Sequence, residues 1–141
     1  MTKYTNQKRL TSEELVLKAV EAIGKNKYGA ETGFKERFLL KSGNHIIPVK
    51  TEEIAYFYRA DLVFVKTFTD ASYAIDHSLG QLQQMINHQR FIRLNRQLLV
   101  NVNAIKKLTP TKPGQLQIGV EPDFHEEIHL SQERSAKLKQ L

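Results

Sequence analysis

From Arg37 onward the chain is a run of short apolar, β-branched and aromatic stretches, broken about every eight to twelve residues by turn-forming residues. No stretch in this region sustains helical periodicity for long, so it cannot build alternating strand–helix units. The pattern predicts a mainly β domain of many short strands with a few short helices. Arg37-Phe38-Leu39-Leu40 and His45-Ile46-Ile47-Pro48 flank Ser42-Gly43-Asn44, a turn whose residues tolerate positive φ. Pro48 lacks an N–H and makes its strand an edge or a bulge. Thr51-Glu52-Glu53 is a brief turn, and two β-branched and aromatic runs, from Ile54 to Arg59 and from Leu62 to Phe68, lie around Ala60-Asp61. Asp70-Ala71-Ser72 and Lys112-Pro113-Gly114 mark further turns. Ser78 and Gln81 have the spacing of a capping box, and Leu79, Leu82 and Ile86 form one helical stripe behind it. Gln115 to Val120 alternates as a half-buried strand, and Glu126 to Leu130 is the last strand.

The two ends read differently. Residues 1–35 form an N-terminal helix and linker. Thr11 and Glu14 begin an amphipathic helix carrying Leu15, Ala19, Val20 and Ile23, Gly24 stops it, and a polar glycine-bearing stretch follows. One such helix cannot bury its own face, so it docks on the main domain, pairs with another helix, as in a dimer through Leu15, Ala19 and Ile23, or stays partly frayed. Residues 36–141 form the main domain, closed by a short helix that Ser131 caps.

Charge is the second constraint. The 141 residues carry a net charge of +6. No acidic residue stands between Asp76 and Glu121, a stretch that holds Arg90, Arg93, Arg96, Lys106, Lys107 and Lys112. Segregation of this kind predicts a positive face for a polyanion, nucleic acid above all. Within it, Arg90 to Asn101 interleaves Arg90, Arg93, Asn95, Arg96, Gln97 and Asn101 with Phe91, Ile92, Leu94, Leu98, Leu99 and Val100. Guanidinium groups bind phosphate or guanine in a fork, and side-chain amides pair with adenine. The competing reading is that Arg93 and Asn95 tie loops together. The aromatic set Tyr56, Phe57, Tyr58, Phe64 and Phe68 has a stacking reading for single strands, but its alternation along two strands favours core packing.

Other chemistry finds little support. With no cysteine there are no disulfides and no thiolate ligands. His125 and His129 lie in loop and strand and need not converge on a metal. Asp76-His77-Ser78 spells the letters of a hydrolytic triad, but triad members meet in space, and Ser78 is the helix cap. No phosphate-binding glycine motif occurs. The reading is a non-enzyme with no cofactor, no metal and no catalytic residues. The N-terminus lacks the apolar run of a signal peptide, and no segment is apolar enough to span a membrane, which predicts a cytoplasmic protein with no membrane partner.

Four segments in this order resemble the LytTR family of bacterial DNA-binding domains: Ile47 to Phe68, the helix from Ser78 to Ile86, His88 to Leu108, and His129 to Lys139. The central motif is Arg90-Phe91-Ile92-Arg93-Leu94-Asn95-Arg96-Gln97-Leu98-Leu99-Val100-Asn101, then Ile105, and the resemblance runs from residue 36 to residue 141. It implies an elongated stack of small β-sheets with short helices. Loops rather than a recognition helix enter successive major grooves of double-stranded DNA. The matching positions are the turn at Arg59-Ala60-Asp61, the turn at Arg93-Asn95-Arg96-Gln97, and Gln132 and Arg134 at the start of the last helix. Arg90, Arg93, Lys106 and Lys107 then neutralise phosphates, while Asn95, Arg96 and Gln97 lie nearer base edges. Asp61, and Gln132-Glu133 where a basic residue is common after the serine, depart from the pattern. The resemblance further implies transcription regulation, paired sites on promoter direct repeats occupied by a homodimer, and a histidine-kinase pathway acting through a receiver domain. Residues 1–35 are too few to be that receiver. A single-strand binder and a protein-interaction module without DNA binding are the alternatives.

Overall fold

A computed structural model describes residues 33–131. The N-terminal and C-terminal helices that the sequence predicts, with Gln132 and Arg134, fall outside the described residues. Ten strands and one α-helix occur among the described residues. Strands β1 (Arg37–Ser42) and β2 (His45–Lys50) form a hairpin. A 3-10 turn (Thr51–Glu53) leads into β3 (Ile54–Arg59), β4 (Val63–Thr67) and β5 (Ser72–Ile75). Helix α1 (Leu79–Met85) follows, then β6 (Phe91–Asn95) and β7 (Leu98–Asn101). A second 3-10 turn (Val102–Ala104) leads to β8 (Ile105–Pro110), β9 (Leu116–Val120) and β10 (Ile128–Leu130). All pairings are antiparallel, in sheets ordered β1-β2, β5-β4-β3-β7-β6 and β10-β9-β8. This is a mainly β arrangement of small sheets, as the resemblance implies.

Local chemistry shapes the joints. Gly43 takes φ 61° and closes a turn in which Ser42 pairs with His45. Pro48 sits opposite Leu39 in a two-stranded sheet, where every strand is an edge and the missing N–H can face outward. The capping box of α1 is reciprocal: the Gln81 N–H donates to Ser78 Oγ at 3.1 Å, and the Ser78 N–H donates to Gln81 Oε1 at 2.9 Å. Leu79, Leu82 and Ile86, the predicted stripe, are buried.

The five-stranded sheet is the middle layer, with apolar contacts on both faces. On one side Ile54, Phe57, Val63, Val65, Phe91 and Leu99 pack with Phe38, Leu40 and Val49 of the hairpin and Leu79, Leu82 and Ile86 of the helix segment. On the other side Ala55, Tyr56, Leu94, Leu98 and Val100 pack with Leu116, Ile118, Val120, Ile128 and Leu130. A strand covered on both faces needs apolar residues at successive positions, which is why β3 and β7 read as continuous runs rather than alternations. Register shifts between Ile54 and Tyr56 and between Arg93 and Asn95 break the simple period of two.

Tyr56 is the large polar side chain of the second core. Its hydroxyl donates to the Asp123 carbonyl at 3.1 Å. Burial, aided by the negative potential of nearby groups, pushes its pKa from 10.0 up to about 12. The folded state therefore holds a proton that the unfolded chain has released, and stability falls as pH rises between these two values. Denaturant titrations across this range are expected to show that loss, and Tyr56→Phe should flatten it. An unchanged slope in the variant would assign the loss to other groups.

Candidate nucleic-acid interface

Two of the three predicted turns meet. Strands β3 and β7 are neighbours, with Tyr58 opposite Leu98, so the β3–β4 turn and the β6–β7 turn leave the same end of the middle sheet. The Arg59 N–H donates to the Gln97 carbonyl at 2.9 Å and joins them directly. At this end the side chains of Arg59, Arg96 and Gln97 are exposed, and Asn95 is half-buried.

The first turn is closed by its own residues. The Ala60 N–H donates to the Leu62 carbonyl at 2.7 Å, and the Leu62 N–H donates to Asp61 Oδ1 at 3.0 Å. One carboxylate oxygen of Asp61 thus holds a backbone N–H of its own turn. Leu62 is 57% exposed at the tip, an apolar residue beside basic ones that sequence reasoning passed over.

The second turn is built around Arg93. Its Nε donates to the Asn95 carbonyl at 2.6 Å and its Nη2 to the Arg96 carbonyl at 2.9 Å. Its Nη1 donates to Gln83 Oε1 at 2.9 Å, which ties the turn to helix α1. Asn95 Oδ1 accepts the Gln97 N–H at 2.8 Å, an Asx-turn that fixes the bend. Two bonds of the Arg93 guanidinium thus hold the shape of the turn and a third ties it to α1, while Arg96 is exposed beside it. Gln83, the third anchor of that fork, gave no signal in the sequence beyond lying on a helix.

The remaining basic residues are not gathered at this end. Arg90 precedes β6 and Arg96 follows it, so a five-residue strand of about 17 Å separates them. The Arg90 carbonyl accepts the Val102 N–H at 2.8 Å, which places it beside the far end of β7. Lys106 and Lys107 are exposed at the start of β8, which the chain enters from that same far end. Asn101, grouped by side-chain type with the nucleic-acid readers, is instead a core residue, 3% exposed. Its Nδ2 donates to the Ile54 carbonyl at 3.0 Å and its Oδ1 accepts the Asn103 N–H at 2.9 Å. Tyr56 and Phe57 of the aromatic set are fully buried, so they are not a stacking platform.

The family model of the LytTr DNA-binding domain matches residues 44–141, more than half of the chain. The chain belongs to the LytTR family. DNA binding in transcription regulation is thus the function class of this LytTR domain, and the family is not a catalytic one. Its fold is also that of a solved domain described as the LytTr DNA-binding domain of a methyl-accepting/DNA response regulator from Bacillus cereus. The two share 23% identity with a TM-score of 0.64, over 75% of this chain and 95% of that one. No curated protein matches the sequence. No helix among the described residues is long and apolar enough to cross a membrane.

Proposed function

We propose that this LytTR domain binds double-stranded DNA sequence-specifically by presenting the joined turns Arg59–Leu62 and Asn95–Gln97 to the major groove. The observation that carries this reading is the Arg59–Gln97 backbone bond, which sets two arginine-bearing turns side by side at one end of the sheet. Strands in a hairpin are about 5 Å apart, so one hairpin end fits a groove about 12 Å wide. Arg96, with Asn95 and Gln97, reads base edges. Arg59 neutralises phosphate, with Gln132 and Arg134 as the third contact, while Lys106 and Lys107, which lie at the far end, take no part. Arg93 shapes the turn, and Arg90, at the far end of β6, takes no part. In this reading the domain is the output of a response regulator in a bacterial two-component pathway, acting in the cytoplasm on promoter direct repeats as a pair of copies.

Selection of bound duplexes from a random library, followed by salt titrations, tests the proposal. Duplex is expected to bind more tightly than single strands, with log affinity falling linearly against log salt. Arg96→Ala should cost about 1–3 kcal/mol on the selected site and relax preference at one position. Equal losses on selected and random DNA would remove Arg96 from base reading. Absence of binding to either form at low salt would favour a protein-interaction module.

A further inference from the structure

A cavity of about 270 Å³ opens at the end of the domain remote from the turns. Four separate stretches of chain line it: 34–37, 50–52, residue 87, and 90–91. Arg37, Lys50 and Arg90 stand there with Glu36 and Glu52, so cations outnumber carboxylates. Among the described residues Arg37, Lys50 and Arg90 form no ion pair. Arg37 and Lys50 are also direct partners in the β1–β2 register. Like charges placed opposite each other weaken a hairpin, so this pairing has a cost that an anion between them would remove. Backbone bonds hold the walls in place: the Lys35 N–H donates to the Met85 carbonyl at 2.8 Å, the Thr51 N–H to the Glu36 carbonyl at 2.9 Å, and the Arg90 N–H to the Asn87 carbonyl at 3.0 Å. Phe34 and the buried Phe91 supply an apolar wall.

We propose that this cavity is a second ligand site, taking a small organic phosphate with its head against Arg37, Lys50 and Arg90 and its apolar body against Phe34 and Phe91. A phosphomonoester carries the opposite charge, and its oxygens match the guanidinium forks of Arg37 and Arg90. The volume suits a ligand at the small end of ordinary sites. The site is separate from the DNA-reading end: the length of β6 lies between Arg90 and Arg96.

Phenyl phosphate serves as the probe, added to the full 141-residue chain and followed by amide NMR shifts. Saturable shifts are expected at 34–37, 50–52 and 87–91. Binding should be at least about tenfold tighter than that of inorganic phosphate or of phenol, because charge and apolar contact act together. Lys50→Ala and Arg37→Ala should each weaken it about tenfold while leaving the rest of the spectrum intact. Lys50 is exposed, so its variant keeps the fold and keeps the test decisive. Shifts that never saturate, shifts as large at Lys106 and Lys107, or equal binding of inorganic phosphate would overturn the assignment. The titration contains no DNA, so its result is independent of the groove reading.

Discussion

Arg93→Ala is expected to cut affinity for the selected duplex by about 100-fold and to lower folding stability by about 2 kcal/mol, because its bonds to Asn95, Arg96 and Gln83 are only partly buried and solvent screens them to a fraction of the about 1.5–3 kcal/mol that a bond from a charged donor contributes. Two of those bonds end on carbonyls of the reading turn and the third on helix α1. Without them the turn loses its anchor, and Arg96 loses the fixed backbone from which it projects. The decisive companion is Arg93→Lys. An ammonium keeps the charge but cannot span three acceptors held in a plane. If Arg93 served as a phosphate contact, lysine would restore most of the affinity and keep the salt slope. As the holder of the turn it should fail almost as badly as alanine. Gln83→Ala, which removes the helix anchor alone, should give an intermediate loss on both readouts. Recovery of full affinity by lysine would return Arg93 to the set of phosphate contacts.

Arg93 also marks the limit of what the sequence could convey. Its identity admits two uses, phosphate contact and loop clamp, and only the positions of the Asn95 and Arg96 carbonyls choose between them. Features set by nearest neighbours were legible. The Ser78–Gln81 capping box, the Gly43 turn and the alternation of β9 all depend on spacing within a few residues. Features set by strand pairing were not. Arg59 and Gln97 meet only because β3 lies beside β7, and no local pattern encodes that adjacency. The charge run suggested one continuous positive face, yet β6 carries Arg90 and Arg96 to opposite ends of a sheet. Lys35, Arg37 and Lys50 lay outside that run and drew no notice, although the fold brings them together with Arg90 around one cavity. The family motif was legible as an ordered string, but the string mixes residues that face solvent with residues that hold the core.

Asn101 is the clearest of the core residues within that motif, and Asn101→Ala is expected to cost about 2–4 kcal/mol, since each buried partner left unsatisfied costs about 1–3 kcal/mol. The Ile54 carbonyl loses its donor at the start of β3, and the Asn103 N–H loses its acceptor in the turn that leads to β8. That side chain therefore links the first residue of one central strand to the exit from another. Its loss acts on the joint between the middle sheet and the three-stranded sheet. In a domain of this size such a change lowers Tm by on the order of 10–20 °C. Asn101→Asp separates this account from simple loss of volume. Aspartate is nearly isosteric and still accepts from the Asn103 N–H, but its second oxygen faces the Ile54 carbonyl where a donor is required. Two acceptors then oppose each other in a buried site, and the carboxylate is removed from water as well. The aspartate variant should be at least as destabilised as alanine at neutral pH and should regain stability as acid protonates the carboxyl and supplies the missing donor. Near-native stability of Asn101→Asp at pH 7 would show that the bond to Ile54 contributes little, and that the conspicuous asparagine ending the motif is not there to hold the sheets together.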